Sequence, residues 1–321
     1  MNVHESQRIQ LLPSCSKFDT ELVYTLKPGE CTVTNREHQV LYQINSQGFR
    51  DSEGALTKPE IVILGDSFAM GWGVAQHNRF SDILKQTTGK HILNTAIASH
   101  ATHQQIHVLS RLDLSNVHTI VFMYHENDAL PNHKYMNKAL PRGKALEEHY
   151  MNLRNFHLKR LSAWRIFPNT QLLFYTLRVL LNKSNFNNSL AFKKRLNLAE
   201  AQLFLKLLTQ AKTLLHNKRI IVIEFNSHNE NDSFFVSAIE ALHATKQMGL
   251  ENISINPLNL SPFFTDNHYF ILDEHLNAQG HAHLAKVLEP VLLTEENMHN
   301  PKIIYSNAEI EDYVQNQRKI P

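Results

Sequence analysis

Only two cysteines, Cys15 and Cys31, occur in this chain of 321 residues. Neither stands beside a second Cys or His at zinc-ligand spacing, which excludes a zinc module but leaves open whether the two pair or stay reduced. No apolar run approaches the roughly 20 residues of a membrane helix, so no membrane span is expected. The amino terminus, Met-Asn-Val-His-Glu-Ser-Gln-Arg, lacks the basic start, apolar middle and small-residue cleavage site of a secretory leader. A cytoplasmic protein is therefore expected, with an exported form that has lost its leader as the alternative. Charge of one sign is also missing. The net charge is +2, and no basic patch is interleaved with aromatics, so nucleic acid is not an expected partner. Lys and Arg do gather between Lys134 and Arg195, and are read as a solvated helical face. Gly71-Trp-Gly-Val does not complete a dinucleotide fingerprint, so no nucleotide cofactor, and no cofactor of any kind, is expected. There is no internal repeat and no low-complexity segment.

What is present is an ordinary globular composition, 42% hydrophobic and 19% charged, able to bury a large core. Ile61 to Leu64 is a short, wholly apolar run, the pattern of a strand buried on both faces. It breaks at Gly65, and Asp66-Ser67 follow where a helix would begin. Ligands of open α/β sheets sit just past the carboxyl ends of such strands. Free N–H groups at a helix start also favour negative charge there. Ser67 is thus a candidate nucleophile, with a simple helix cap as the competing reading of Asp66-Ser67. No Gly-x-Ser-x-Gly elbow occurs, which argues against the α/β-hydrolase family as the source of the serine.

Two further segments join it. Asp273-Glu-His275 precedes a helical pattern ending near Pro290 and supplies the partners of a Ser/His/Asp arrangement, in which imidazole takes the serine proton and carboxylate holds the imidazole. Thr119 to Tyr124 is another buried-strand run, followed by His125-Glu-Asn127-Asp128. Asn127 could aim its amide at a developing oxyanion, or merely form an Asx turn.

Together these segments resemble the SGNH, or GDSL-type, hydrolase superfamily over about residues 58–293. Gly65-Asp66-Ser67-Phe68 looks like its nucleophile block, Asn127-Asp128 like its third block, and Asp273-Glu-His275-Leu-Asn277 with Gly280-His281 like its fifth. The resemblance implies catalytic Ser67, Asp273 and His275, and an oxyanion hole from Ser67, Ser99 and Asn127. The second block departs from the pattern: in Leu93-Asn-Thr-Ala-Ile-Ala-Ser99, Ser99 stands where the family usually has Gly. A backbone N–H donor survives the change of side chain, though a loop that needs a positive φ would cost Ser on the order of 1 kcal/mol or more, and the hydroxyl is an alternative donor. Asp266 and Glu274 are rivals to Asp273, since the Asp–His spacing is two residues rather than the common three.

The implied fold is α/β: a three-layer sandwich around a central, mostly parallel five-stranded sheet, flavodoxin-like, with a small N-terminal β extension. Strands are expected at 60–64, 91–94, 119–124, 219–225 and 252–255, and helices at about 78–87, 102–113, 234–247 and 277–289. The chain divides into a β extension at 1–57, a hydrolase domain at 58–293 and a polar tail at 294–321. Cys31-Thr-Val-Thr and Gln39 to Ile44 read as antiparallel strands of the extension, with a turn at Asn45 to Gly48. Arg50 would lie near the site or form a surface salt bridge. A helical insertion at about 144–217 is expected to shape a lid or cleft. His103 and His107, four apart on a helix, have no carboxylate at ligand spacing, so no metal is expected.

The implied activity is hydrolysis of a short-chain acyl ester, with O-acetyl on a carbohydrate one case and a small-molecule or glycan ester as the partner. Transfer of the acyl group to a glycan hydroxyl, or a catalytically weak binding role in a polysaccharide pathway, stay open, as do acyl length and oligomeric state.

Overall fold

The computed structural model describes residues 7–35, 37–166, 190–225, 234–246, 248–250, 252–260 and 263–294. The polar tail expected after residue 294 and the middle of the 144–217 insertion lie outside these residues.

Four short strands precede the core: β1 (Ser16–Asp19) pairs antiparallel with β2 (Val23–Leu26), and β3 (Gly29–Thr34) with β4 (Gln39–Ile44). Only the second hairpin is legible as alternating residues; β1 and β2 were not expected. The turn after β4 closes with Gly48 N–H donating to Asn45 O at 2.9 Å, and Asn45 Oδ1 accepts the Phe49 N–H at 3.0 Å. A disulfide joins Cys15 to Cys31 across the two hairpins. Val33 and Tyr42 are buried in the same apolar cluster as the central sheet.

The central strands are β5 (Ile61–Gly65), β6 (Ile92–Asn94), β7 (Thr119–Tyr124), β8 (Arg219–Glu224) and β9 (Ser254–Asn259). Their order is β6-β5-β7-β8-β9 and every pairing is parallel. Counted within the sheet this is 2-1-3-4-5, the flavodoxin-like order, which reverses direction between β5 and β7. β5 and β7 are buried along their whole length, as runs of Ile, Val, Leu and Phe without alternation require. The last strand lies further along than expected, at 254–259 rather than 252–255. It contains Pro257, which the edge of a sheet accommodates because one side of its ladder is open.

The helices are α1 (Ser67–Met70), α2 (Phe80–Thr88), α3 (Thr102–Leu109), α4 (Ala129–Met136), α5 (Lys144–Ile166), α6 (Leu190–Gln210), α7 (Lys212–Leu215), α8 (Phe234–Ala244) and α9 (Ala278–Leu293). α2 packs against α9, while α6 packs against α8, which lies on β9. α9 starts one residue later than expected and runs past Pro290 to Leu293. Asn277 caps it, accepting the Gly280 N–H at 3.0 Å.

Glycine is required at the end of β5. A Cβ on Gly65 would stand 2.6 Å from the Cβ of Ala69 and 3.1 Å from the Met123 carbonyl oxygen. The chain can turn directly from strand into α1 only because that Cβ is absent.

Candidate active site

The turn at 65–67 places Asp66 and Ser67 at the carboxyl edge of the sheet, beside the point where the strand order reverses. Asp66, 1% exposed, is the N-cap of α1, and Ser67 is the first helical residue. Asp66 Oδ1 accepts the Phe68 N–H at 3.0 Å, so its role as a cap is real; Ser67 is left facing outward.

The segment before α9 comes to meet it. His275 Nε2 lies 2.7 Å from Ser67 Oγ, and its Nδ1 is hydrogen-bonded to Asp273 Oδ1. The same carboxylate oxygen accepts the His275 backbone N–H at 3.1 Å, which the two-residue spacing makes possible. Asp273 is therefore the partner of the imidazole. Its rival Asp266 sits in a separate turn at Asp266–His268, and the other rival, Glu274, lines the cavity. Burial would raise the Asp273 carboxyl, but the hydrogen bonds and charge of His275 outweigh it and hold it at about 2. The carboxylate thus stays ionised while it orients the ring.

The third segment follows β7. His125 Nδ1 accepts the Asn127 N–H at 3.2 Å, closing a turn, and Asn127 Nδ2 donates to Asp66 Oδ2 at 3.0 Å. The Asx-type turn and the inward amide are thus compatible, because the turn is capped by His125 rather than by Asn127. An amide nitrogen carries two protons, so Asp66 takes one and fixes the plane in which the other is presented.

Ser99 completes the set. Beyond β6 the sheet bonding continues, with Ile97 N–H donating to Gly65 O at 3.3 Å, and this carries Ser99 to the same rim. Its φ is +63°. The loop does need the left-handed region in which the resemblance's Gly is at ease, and Ser99 occupies it at a cost of about 1 kcal/mol. Its hydroxyl accepts from Gln10 Nε2 at 3.0 Å, so the side chain is engaged by the N-terminal segment.

Ser67, Ser99, Asn127, Asp273 and His275 all line one cavity of about 430 Å³. Sequence reasoning missed the rest of its wall. Phe68 stacks against His125 and packs at a tilt against His275, with ring centroids 4.7 and 4.5 Å apart, and Trp72 flanks His275 at 5.9 Å. Gln7, Arg8, Gln10 and Asn35 close the cavity from the N-terminal extension. No local pattern marks these four, since they act only through contacts with segments far along the chain. Among the described residues, the 144–217 insertion contributes none of the lining. Tyr150 and Arg154 of α5 bond instead to Gln10 O and Ser16 O, at 2.9 and 3.0 Å, and so brace the N-terminal segment.

Arg50 is not a surface salt bridge. It is wholly buried, 3.8 Å above the Tyr42 ring, and donates to the carbonyls of Met70, Gly71 and Val74. It thereby fixes the loop after α1. His103 stacks on Tyr135 and His107 pairs with Glu21 at 2.8 Å. Among the described residues no group of three or more His, Cys, Asp or Glu is arranged to hold a metal ion. Nor, among them, is any helix long and apolar enough to cross a membrane.

No family profile matches this chain, and no curated protein matches it. Solved structures similar to it include TesA, at 10% identity over 73% of this chain and 97% of that one, with a TM-score of 0.41. A family two carbohydrate esterase from Cellvibrio japonicus is 11% identical over 73% of this chain and 60% of its own, at 0.38. The psychrotrophic esterase EstA from Pseudoalteromonas sp. is 12% identical over 80% and 97%, at 0.34. Identities and scores this low leave the site's own geometry as the basis for a functional reading.

Proposed function

We propose that this chain is a serine hydrolase of the SGNH type that cleaves a short-chain acyl ester through an acyl-enzyme. The observation that carries the reading is the 2.7 Å approach of Ser67 Oγ to His275 Nε2, with Asp273 on the opposite ring nitrogen.

In this mechanism Ser67 Oγ attacks the ester carbonyl and its proton passes to His275 Nε2. Asp273 holds the ring and stabilises the imidazolium. The tetrahedral oxyanion is received by the backbone N–H groups of Ser67 and Ser99 and by the Asn127 amide. The alcohol leaves with the proton from His275, and the acyl group stays on Ser67. A water molecule then attacks, gives its proton to His275 and releases the acid. No cofactor or metal enters these steps. The polar wall of Gln7, Arg8 and Gln10 suits a hydroxylated alcohol portion, which supports O-acetyl on a carbohydrate as substrate. The Cys15–Cys31 disulfide supports an oxidising compartment and weighs against the cytoplasmic expectation.

A fluorophosphonate probe should label wild type on Ser67 and leave Ser67→Ala unlabelled, while Ser67→Ala loses nearly all p-nitrophenyl acetate hydrolysis. Undiminished hydrolysis by a folded Ser67→Ala protein would overturn the reading.

A further inference from the structure

The hairpin of β3 and β4 reaches behind the His275 segment. Between its strands Asn35 N–H donates to His38 O at 2.8 Å and His38 N–H to Asn35 O at 3.3 Å, closing a turn. From that turn the side-chain amide of Asn35, 2% exposed, donates to Asp273 Oδ2. This is the carboxylate oxygen that His275 does not use. Glu37 accepts the backbone N–H groups of Ile271 and Leu272 at 2.9 and 2.6 Å, from the same loop. Two residues of one turn thus grip the loop that carries Asp273.

A carboxylate bonded through one oxygen can rotate about its terminal torsion, which has broad minima. A donor on each oxygen fixes its plane, and with it the direction in which His275 Nε2 points. The loop around Asp273 is bracketed by a single antiparallel Tyr269–Leu276 bridge, with Phe270 N–H donating to His275 O at 3.0 Å and Asn277 N–H to His268 O at 2.9 Å, but it carries no longer ladder and these bonds do not reach the Asp273 carboxylate. The hairpin, in contrast, has its own support. Six residue pairs are in register between Gly29–Ile44 and Thr34–Gln39, and Val33 and Tyr42 are anchored in the core. It does not need the Asn35 amide to form.

We infer that Asn35 is a positioning residue, which with Glu37 holds the plane of Asp273 so that His275 faces Ser67. The inference rests on the reading of Ser67 as nucleophile. Asn35 touches no reacting atom and acts through Asp273. By donating to Oδ2 it also draws charge away from the carboxylate and so weakens its hold on the imidazolium.

The test is steady-state hydrolysis of p-nitrophenyl acetate across roughly pH 5 to 9 by wild type, Asn35→Ala, Asn35→Asp and Ser67→Ala, with thermal melts and fluorophosphonate labelling alongside. Asn35→Ala is expected to lower kcat about ten- to a hundredfold with KM changed less than about twofold. The acid limb of its kcat/KM profile should also move to higher pH, because Asp273 regains its full charge and stabilises the imidazolium more. Asn35→Asp preserves size but sets carboxylate against carboxylate, so it should show the same kcat loss and a larger displacement of the limb. Wild-type kcat and an unmoved limb in a folded Asn35 variant, beside an inactive Ser67→Ala, would overturn the positioning role alone. An active Ser67→Ala that escapes labelling would overturn the nucleophile reading instead. If Asn35→Ala does not fold, the isosteric Asn35→Asp decides by the same two readouts.

Discussion

Asp66 Oδ2 and Asn127 Nδ2 lie 3.0 Å apart, so the turn that ends β5 and the turn that ends β7 are tied across the rim of the sheet by one hydrogen bond. Asp66 meanwhile caps α1 through its other oxygen. One carboxylate sets both the helix that carries Ser67 and the amide assigned to the oxyanion.

That double use separates two variants. Asn127→Ala should cut kcat by two to three decades, about 3–4 kcal/mol of transition-state stabilisation, and should cost about 1 kcal/mol of stability because Asp66 Oδ2 loses its donor. Asp66→Ala should also lower activity, and besides that same bond should cost about 1 kcal/mol more of stability from the lost cap. Urea denaturation of both variants, set beside their kcat values, checks the distinction. Equal stability losses would mean that the cap contributes nothing.

Ser99 at φ +63° carries a strain that glycine would not. Ser99→Gly should therefore raise stability by up to about 1 kcal/mol, reduced somewhat by the greater freedom of glycine in the unfolded chain and by loss of the bond from Gln10. Activity should be kept, because a backbone N–H survives the change. A loss of kcat in Ser99→Gly would instead assign the oxyanion contact to the hydroxyl. Denaturation midpoints and kcat are the two measurements.

The disulfide closes a loop across a separation of 16 residues, Cys15 to Cys31. In the chain-entropy account a loop of that size is worth about 3 kcal/mol. Reduction, or Cys15→Ser with Cys31→Ser, should lower the urea midpoint accordingly. Activity should fall with it, since Gln10 and Asn35 belong to the same extension. Unchanged midpoints with and without reductant would contradict this.

Stability should decline as pH falls from about 6.5 towards 3. Burial lowers His38, His103 and His157 to about 4, and His100 and His281 to about 3, from an ordinary 6.5. A depressed folded value means that the contribution is present above the unfolded pKa and is lost as these rings must take up protons. Glu200 works in the opposite sense. Burial raises it to about 7, against the opposing hydrogen bond from Tyr124, which donates at 3.0 Å. Its contribution is present below 4.5 and is lost as pH rises through 7. Glu200→Gln keeps an acceptor for Tyr124, so it should be neutral at pH 4 and stabilising by about 1–3 kcal/mol at pH 8. Denaturation at the two pH values gives the sign directly.

The sequence by itself determined the elements whose physics is local. The short, largely apolar runs at 61–64 and 119–124, each followed by turn residues, read as strands of a parallel sheet covered on both faces. Glycine followed by Asp66-Ser67 marks a turn that few other residues allow. Ser67 and Asn127 were legible as positions for the same reason, since each follows the end of a strand, whereas Asp273 and His275 were singled out by chain order and by the resemblance. The tertiary structure alone decided what depends on distant partners. Asn35 meets Asp273 across 238 positions, and Gln10 meets Ser99 across 89, so no spacing could announce either. Arg50 was misplaced for the same cause. A guanidinium reads as surface until the carbonyls of Met70, Gly71 and Val74 and the Tyr42 ring are shown around it. Long-range hydrogen bonds leave no periodic trace along a chain, because either partner alone is an ordinary polar residue.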